Sequence, residues 1–255
     1  MKLVKEFALL LGSLACAGSA LADGAATEDE GITSVGVTAI TSANKNTIVA
    51  VSYGELGTGN PVSVANLVKT TNLAEGDQLV VYKGDGTHET WVLAKDSSNA
   101  LVWSPNANTF TQDANGDTSS GTGSDTDMTL GVGTGFWLVR NNWKDDDSVT
   151  FYIYGSVASN PTSTTTPGTW TLVGNPTRTS KTITAAMTPG ASKNDVIAVA
   201  EKNGFVNYFF KGTGELAAWK REPSAESPTW GVAPVIEAGK GFWIKSTATS
   251  VDWTK

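Results

Sequence analysis

The chain contains the stretch GTGFWL at 133–138, and a close copy, GKGFWI, recurs at 239–244. Each copy is preceded by an Asp that opens an apolar run, DQLVVY at 77–82 and DVIAVA at 195–200. A Gly-containing turn follows each apolar run, and Trp103 and Trp219 then lie at similar distances from the two Asp residues. Because the duplication preserves glycine, aromatic and turn positions rather than a set of reactive side chains, it predicts a repeated scaffold.

Short β-prone runs dominate the chain after its N-terminus. They are rich in Val, Ile, Thr, Tyr, Phe and Trp, and turns of Gly, Asn, Asp and Thr separate them. Strands at this spacing are typical of sandwiches and barrels. No window beyond the N-terminal segment shows the 3.6-residue apolar period of a helix. We predict an all-β protein with two repeated, antiparallel, β-sandwich-like halves.

The repeat also sets the predicted domain organisation. The first β-domain repeat covers 23–157 and the second covers 169–255. The Thr/Pro-rich stretch ASNPTSTTTPG, at 158–168, is typical of an extended linker between them. A second low-complexity segment, 105–127, is polar and too long for a hairpin turn. Two separate bodies and one composite sandwich both fit this pattern.

Residues 1–22 have the features of a secretory signal peptide. Lys2 and Lys5 provide a positive start, 7–14 an apolar core, and 20–22 (ALA) a cleavage site with small residues. The apolar stretch is too short to span a bilayer, and no other segment of the chain is a candidate for a membrane span. We therefore expect an extracellular or cell-surface location.

Cys16 is the single cysteine of the chain and lies inside this segment. A lipoprotein signal is the alternative interpretation, but Ser13 stands where that signal has a Leu-like residue. An exported chain that loses its one cysteine cannot use disulfides, so core burial must stabilise the fold.

The formal net charge is −7. An acidic chain lacks the clustered Lys and Arg that nucleic-acid binding requires, and it offers no polybasic face to anionic lipid. We therefore expect neither nucleic acid nor a membrane as a partner.

The repeated Gly-x-Gly resembles a phosphate-binding loop only superficially. Such a loop needs a helix N-terminus after its glycines, and here Phe-Trp-Leu-Val and Phe-Trp-Ile-Lys continue as strands. We predict a tight turn or bulge that leads into a central strand with both faces covered.

Seven of the nine tryptophans fall into two groups. Those that recur by repeat are predicted to fill the core, where large rings bury much area: Trp103, Trp137, Trp219 and Trp243. Three others have no duplicate and sit beside polar residues, which makes them candidates for an exposed carbohydrate-binding platform: Trp91, Trp143 and Trp230.

An acidic loop carries Asp113, Asn115 and Asp117, the alternation of oxygen ligands that calcium favours. An EF-hand would also need Gly at 118 and Glu at 124, where this chain has Thr118 and Ser124. The sequence fits both a weak calcium site and a solvated loop without calcium. No other cofactor is expected.

His88 is the single histidine. It excludes a zinc site built on several imidazoles, and its turn lacks the signature of a catalytic nucleophile. We expect His88 to be exposed to solvent. Two carboxylates would suffice for a glycosidase, but no distinctive acidic motif is present. We predict that the protein is not an enzyme.

The stretch TWTLVGNP at 169–176, followed by GKGFWIK, resembles a β-domain of uncharacterised, highly paralogous exported bacterial proteins with this duplicated layout. The resemblance covers most of the chain after residue 22 and implies an extracytoplasmic or surface role with no catalytic residues. The first half departs from the pattern, since IVAVSY at 48–53 replaces the W-x-L-V-G-N-P start.

The leading hypothesis is an exported, non-catalytic structural protein that self-associates, or joins other surface proteins, through its strand edges. The alternative is a carbohydrate-binding module in which Trp91, Trp143 and Trp230 contact a polysaccharide.

Overall fold

The fold is all-β, as predicted. The computed structural model describes residues 35–42, 45–55, 60–68, 73–83, 87–105, 110–112, 118–120, 128–141, 149–201, 204–214, 217–224 and 229–255. The helical elements among these residues are two short 3-10 turns, Val64–Asn66 and Ala185–Met187. The predicted signal peptide, 1–22, lies outside the described residues.

The strands of the first half, up to residue 157, are β1 (Val35–Ser42), β2 (Asn46–Ala50), β3 (Val62–Ser63), β4 (Gln78–Tyr82), β5 (His88–Lys95), β6 (Leu101–Pro105), β7 (Phe110–Gln112), β8 (Thr118–Ser120), β9 (Thr129–Leu130), β10 (Gly135–Val139) and β11 (Val149–Ser156). Those of the second half are β12 (Thr162–Thr164), β13 (Trp170–Gly174), β14 (Lys181–Thr182), β15 (Val196–Glu201), β16 (Gly204–Lys211), β17 (Ala218–Arg221), β18 (Val235–Ile236), β19 (Gly241–Lys245) and β20 (Ser250–Asp252).

The two halves share one topology. Each has a five-stranded antiparallel sheet, in the order β2-β10-β4-β5-β6 in the first half and β13-β19-β15-β16-β17 in the second. Two-stranded sheets also correspond, β1-β11 to β12-β20 and β3-β9 to β14-β18. The β7-β8 hairpin has no counterpart among the described strands of the second half, and it lies within the low-complexity segment 105–127.

Pairing within the large sheets follows the repeat residue by residue. Trp137 lies between Ile48 and Val80, and its counterpart Trp243 lies between Leu172 and Ala198. Strand β2 therefore occupies the same place as β13, although its sequence lacks the W-x-L-V-G-N-P pattern.

One face of each large sheet covers the core of its own half. The first core includes Val49, Leu79, Trp91, Trp103 and Phe136. The second includes Val173, Ile197, Trp219, Phe242 and Trp253. Burial of these side chains supplies the main favourable contribution to folding, since apolar area removed from water contributes about 25 cal/mol per Å².

The opposite faces of the two large sheets pack against each other. The third apolar cluster joins Ile48, Tyr82 and Trp137 of the first half to Trp170, Leu172, Ala198, Ala200, Phe205 and Trp243 of the second. The rings of Tyr82 and Trp243 meet edge to face at 4.9 Å, and those of Trp137 and Phe205 at 6.0 Å. The strand after each Gly-x-Gly is therefore covered on both faces, and the two halves form one packed body.

Main-chain hydrogen bonds also join the halves, in two equivalent sets. Ala50 N–H donates to the carbonyl of Gly239 at 2.8 Å, and Gly174 N–H donates to the carbonyl of Gly133 at 2.9 Å. Since Gly174 occupies the place of Ala50 in the second half, each half makes the same contact with the other. This reciprocity is the hallmark of a two-fold interface.

The glycines of the repeated motif have two different roles. Gly133 and Gly239 have φ of 87° and 72°, the left-handed conformation of the predicted turn. Gly135 and Gly241 allow the other half to approach, because a Cβ would overlap Leu172 at the first position and Ile48 at the second.

The stretch 158–168 contributes structure to the second half as well as joining the halves. Its strand β12 pairs with β20, and Thr165 Oγ1 donates to the carbonyl of Ala248 at 2.6 Å. Ser163 Oγ accepts a hydrogen bond from Trp253 Nε1 at 2.7 Å and donates to the carbonyl of Gly133 at 2.8 Å.

Replacing Gly174 by Ala should lower the free energy of unfolding by about 1–3 kcal/mol, because the new methyl group would overlap Ala50 where the halves meet. Urea denaturation measures the loss. Gly131→Ala is the matched control, since a Cβ there meets no atom within 4 Å. Equal losses in both variants would contradict the proposed close approach.

Candidate functional site

The Asp that opens each repeated apolar run holds neighbouring loops together. In the first half, the Asp77 carboxylate accepts hydrogen bonds from the amides of Ala74 at 3.0 Å and Asn141 at 2.8 Å. It also pairs with Arg140, whose Nε lies 2.8 Å from Oδ2. The Asp77 side chain is fully buried.

Asp195 has the same role in the second half. Its carboxylate accepts hydrogen bonds from the amides of Ser192 and Thr247, each at 2.9 Å, and from Ser246 Oγ at 2.6 Å. The carboxylates of Asp77 and Asp195 thus accept hydrogen bonds from main-chain and side-chain groups of the protein itself. They support the loops before β4 and β15 and after β10 and β19.

Asn175, from the W-x-L-V-G-N-P pattern, is a second organising side chain. Its buried amide donates to the carbonyls of Thr179 and Ile236, each at 2.9 Å, and its Oδ1 accepts from the amide of Thr177 at 3.0 Å. This motif therefore has a structural explanation, because one buried amide satisfies several main-chain groups.

His88 is not exposed, so the expectation of a solvent-exposed histidine was wrong. It is the first residue of β5, pairs with Tyr82 of β4 and is only 4% exposed. Strand alternation places it on the sheet face opposite Trp91, the side covered by the second half. Burial lowers the pKa of the imidazole from its ordinary value of 6.5.

The three tryptophans proposed for carbohydrate binding do not come together. Trp91 is 2% exposed and packs in the core of the first half, so its predicted exposure was wrong: on β5 it faces the same side as the core residue Leu93. Trp143 lies outside the described residues. Trp230 is 44% exposed. Of the recurrent tryptophans, Trp103, Trp219 and Trp243 are buried and Trp137 is half-buried, in agreement with a core role.

Trp230 belongs to a group of side chains that the sequence did not reveal. Its ring meets Phe209 edge to face at 6.1 Å, and the Lys211 ammonium lies 4.2 Å from its centroid. Phe209 pairs with Lys220 on β17, and Val196 joins Phe209 to Lys245 on β19. We call Phe209, Lys211, Lys220, Trp230 and Lys245 the lysine–aromatic face.

Only part of this face has a signal in the sequence. The spacing of Phe209 and Lys211 within one strand places them on the same side of the sheet. Lys220 and Lys245 come from other strands, and only the pairing register brings them beside Phe209.

A shallow crevice of about 340 Å³ lies between the halves, lined by residues that include Tyr53, Asn160, Arg178 and Trp253. Its described lining includes no carboxylate, histidine or cysteine. It thus lacks the paired acids that a glycosidase requires and the thiolate or imidazole groups of nucleophilic catalysis.

The proposed calcium ligands Asp113, Asn115 and Asp117 lie outside the described residues. Within the part of the chain that the structure covers, no cluster of three or more His, Cys, Asp or Glu side chains is arranged to hold a metal ion. Calcium binding by the acidic loop stays a prediction.

Comparisons with protein-family models, curated proteins and solved structures found no match to this chain. The resemblance to exported bacterial β-domain proteins therefore stays a prediction. Among the described residues, no helix is long and apolar enough to cross a membrane.

Asp195→Ala should lower the free energy of unfolding by about 1–3 kcal/mol, because it leaves the buried hydroxyl of Ser246 and the part-buried amide of Thr247 without their acceptor. Asp252→Ala is the control, since Asp252 binds only nearby donors of Thr254 in a C-terminal turn. Urea denaturation of both variants measures the difference. A loss in Asp195→Ala no larger than in the control would show that the carboxylate does not stabilise the loops.

The stability of the protein should decrease as the pH is lowered through the pKa of His88. Because burial lowers this pKa, the unfolded chain binds more protons than the folded protein just below pH 6.5. The contribution is fully present above pH 6.5 and is lost as the pH falls through the lowered pKa.

Urea denaturation at pH 7.5, 6.5 and 5.5 tests this expectation by comparing the wild type with His88→Gln. The chain has one histidine, so the remaining pH dependence of stability comes from carboxylates and is the same in both proteins. The free energy of unfolding should change less with pH in the variant than in the wild type. The same change in both proteins would contradict the expectation.

Proposed function

We propose that the protein is an exported, non-catalytic structural component of the cell surface or extracellular space that assembles through its β-rich surfaces. The observation that supports this most is the use of the duplicated polar residues. Asp77 and Asp195, the acidic side chains repeated in both halves, bind loop amides of their own scaffold. The duplication thus preserves packing and loop support, the properties required of a building block.

The outer edges of the two large sheets, β6 and β17, are the two candidate surfaces for assembly. Strand β6 ends the first sheet and pairs with β5 alone among the described strands. On β17, the edge of the second sheet, Arg221 already exchanges main-chain hydrogen bonds with Gly231 and Val232. An unpaired edge accepts a further strand, and we therefore assign the assembly contact to β6.

Carbohydrate binding is the second candidate function, and one observation favours it. Trp230 keeps 44% of its surface exposed while Phe209 holds its ring from the side. A fixed, exposed indole is a suitable surface for the apolar face of a sugar ring. This candidate is compatible with a structural role, because a surface component can also contact the polymers around it.

Val102→Lys should reduce self-association and leave the fold intact. Val102 is 37% exposed on β6, and a lysine on an edge strand opposes pairing with another chain. Light scattering at increasing concentration should give masses above that of a single chain for the wild type and a shift towards the single-chain mass for the variant.

Val235→Lys is the control, because Val235 is an exposed valine on β18, away from β6. It should associate like the wild type. A wild-type protein that remains strictly monomeric at high concentration would contradict the assembly function. Equal effects of the two substitutions would contradict the assignment to β6.

A further inference from the structure

Three lysines and two aromatic rings of the second half lie on the sheet face that also contacts the first half, at positions that stay exposed or half-buried. Lys245, Val196, Phe209 and Lys220 are cross-strand neighbours in a single row, and Lys211 follows on the same side of β16. With strands about 4.8 Å apart, this row separates Lys245 from Lys220 by roughly 14 Å. Lys220 and Lys245 are exposed, and Lys211 is half-buried.

The fold does not require these residues. Pairing registers give their counterparts in the first half, where Phe209, Lys211, Lys220 and Lys245 correspond to Val92, Ala94, Ser104 and Val139. The same sheet therefore forms without any of the three charges. Because the equivalent sheet of the first half forms without these lysines, their charges are available for contact with another molecule.

The charges of this face differ from those of the whole chain. The chain has a formal net charge of −7, yet the described face is lined by cations. The carboxylate that the register places on the same side, Glu222, lies 3.4 Å from the side-chain amide of Asn207, one row further along the sheet. An anionic partner would meet a locally positive surface here.

We propose that the lysine–aromatic face binds an acidic polysaccharide, one whose sugars carry carboxylate or sulfate groups. This inference rests on the carbohydrate-binding candidate and adds the class of ligand. The rings of Trp230 and Phe209 offer apolar surface to sugar C–H groups, and the ammonium groups of Lys211, Lys220 and Lys245 pair with the anions. An extended chain of sugars can contact charges that are spread along a row.

The position of Lys211 favours an acidic sugar over a neutral one. Its ammonium lies over the Trp230 ring, where a sugar would stack. A neutral sugar would have to displace this cation and lose the cation–π contact. An acidic sugar can use the same ammonium as its counter-charge while it touches the exposed part of the ring.

Affinity electrophoresis of the full chain tests the proposal with matched polymers. Polygalacturonate and its neutral methyl ester share a backbone and differ in charge, and dextran sulfate and dextran form a second pair. The acidic member of at least one pair should retard the protein, and its neutral partner should not. Retardation should weaken with added salt, because the contacts are electrostatic.

Variants locate the site. The double substitution Lys211→Gln with Lys220→Gln should weaken binding at least tenfold, and Trp230→Ala should weaken it as well. Lys95→Gln is the control, because Lys95 is an exposed lysine on β5 of the first half and should leave binding unchanged. Urea denaturation of each variant checks that the fold is retained.

Four results would overturn the proposal in distinguishable ways. Equal retardation by charged and neutral polymers, lost in Trp230→Ala, would exclude acidic specificity but retain carbohydrate binding. No retardation by any of the four polymers would exclude both. Retardation by acidic polymers that the double lysine variant shares with the wild type would place the binding elsewhere. Self-association lost only in that variant, without polymer binding, would make the face an interface between copies.

Discussion

The close approach of two main chains at the centre of the molecule is the constraint on which the structure depends. Ala50 and Gly174 donate hydrogen bonds across the contact between the halves, and this is sterically feasible because residues without bulky side chains stand there. At this separation, Trp137 and Trp243 pack against the opposite half and seal the space between the sheets. Gly135 and Gly241 are thus required by the surface of the opposite half, where Leu172 and Ile48 stand within reach of any added Cβ.

The sequence was sufficient to predict the fold class and the repeat, because strand periodicity and turn residues are local signals. It also identified Trp103, Trp219 and Trp243 as core residues, since a large apolar ring kept in both copies most often serves packing. The burial of His88 was missed. Its surroundings are polar in sequence, whereas the cover that buries it comes from packing at long range.

The candidate site was less predictable for the same reason. Strand spacing alone reveals that Phe209 and Lys211 share a side, but Lys220 and Lys245 reach them through registers set by the whole sheet. Trp91 and Trp230 both follow polar residues in the sequence and differ completely in exposure. Local composition therefore identifies a tryptophan as unusual without indicating which side of a sheet it occupies.

The short connection between the halves, 157–161, has a physical consequence of its own. Because the two-fold contact is made within one polypeptide, its formation is a unimolecular event with a fixed effective concentration. A pair of separate chains with the same contact would dissociate on dilution, as mass action requires. Tethering makes the paired state independent of how much protein surrounds it, an advantage for any molecule that works where its own concentration is low.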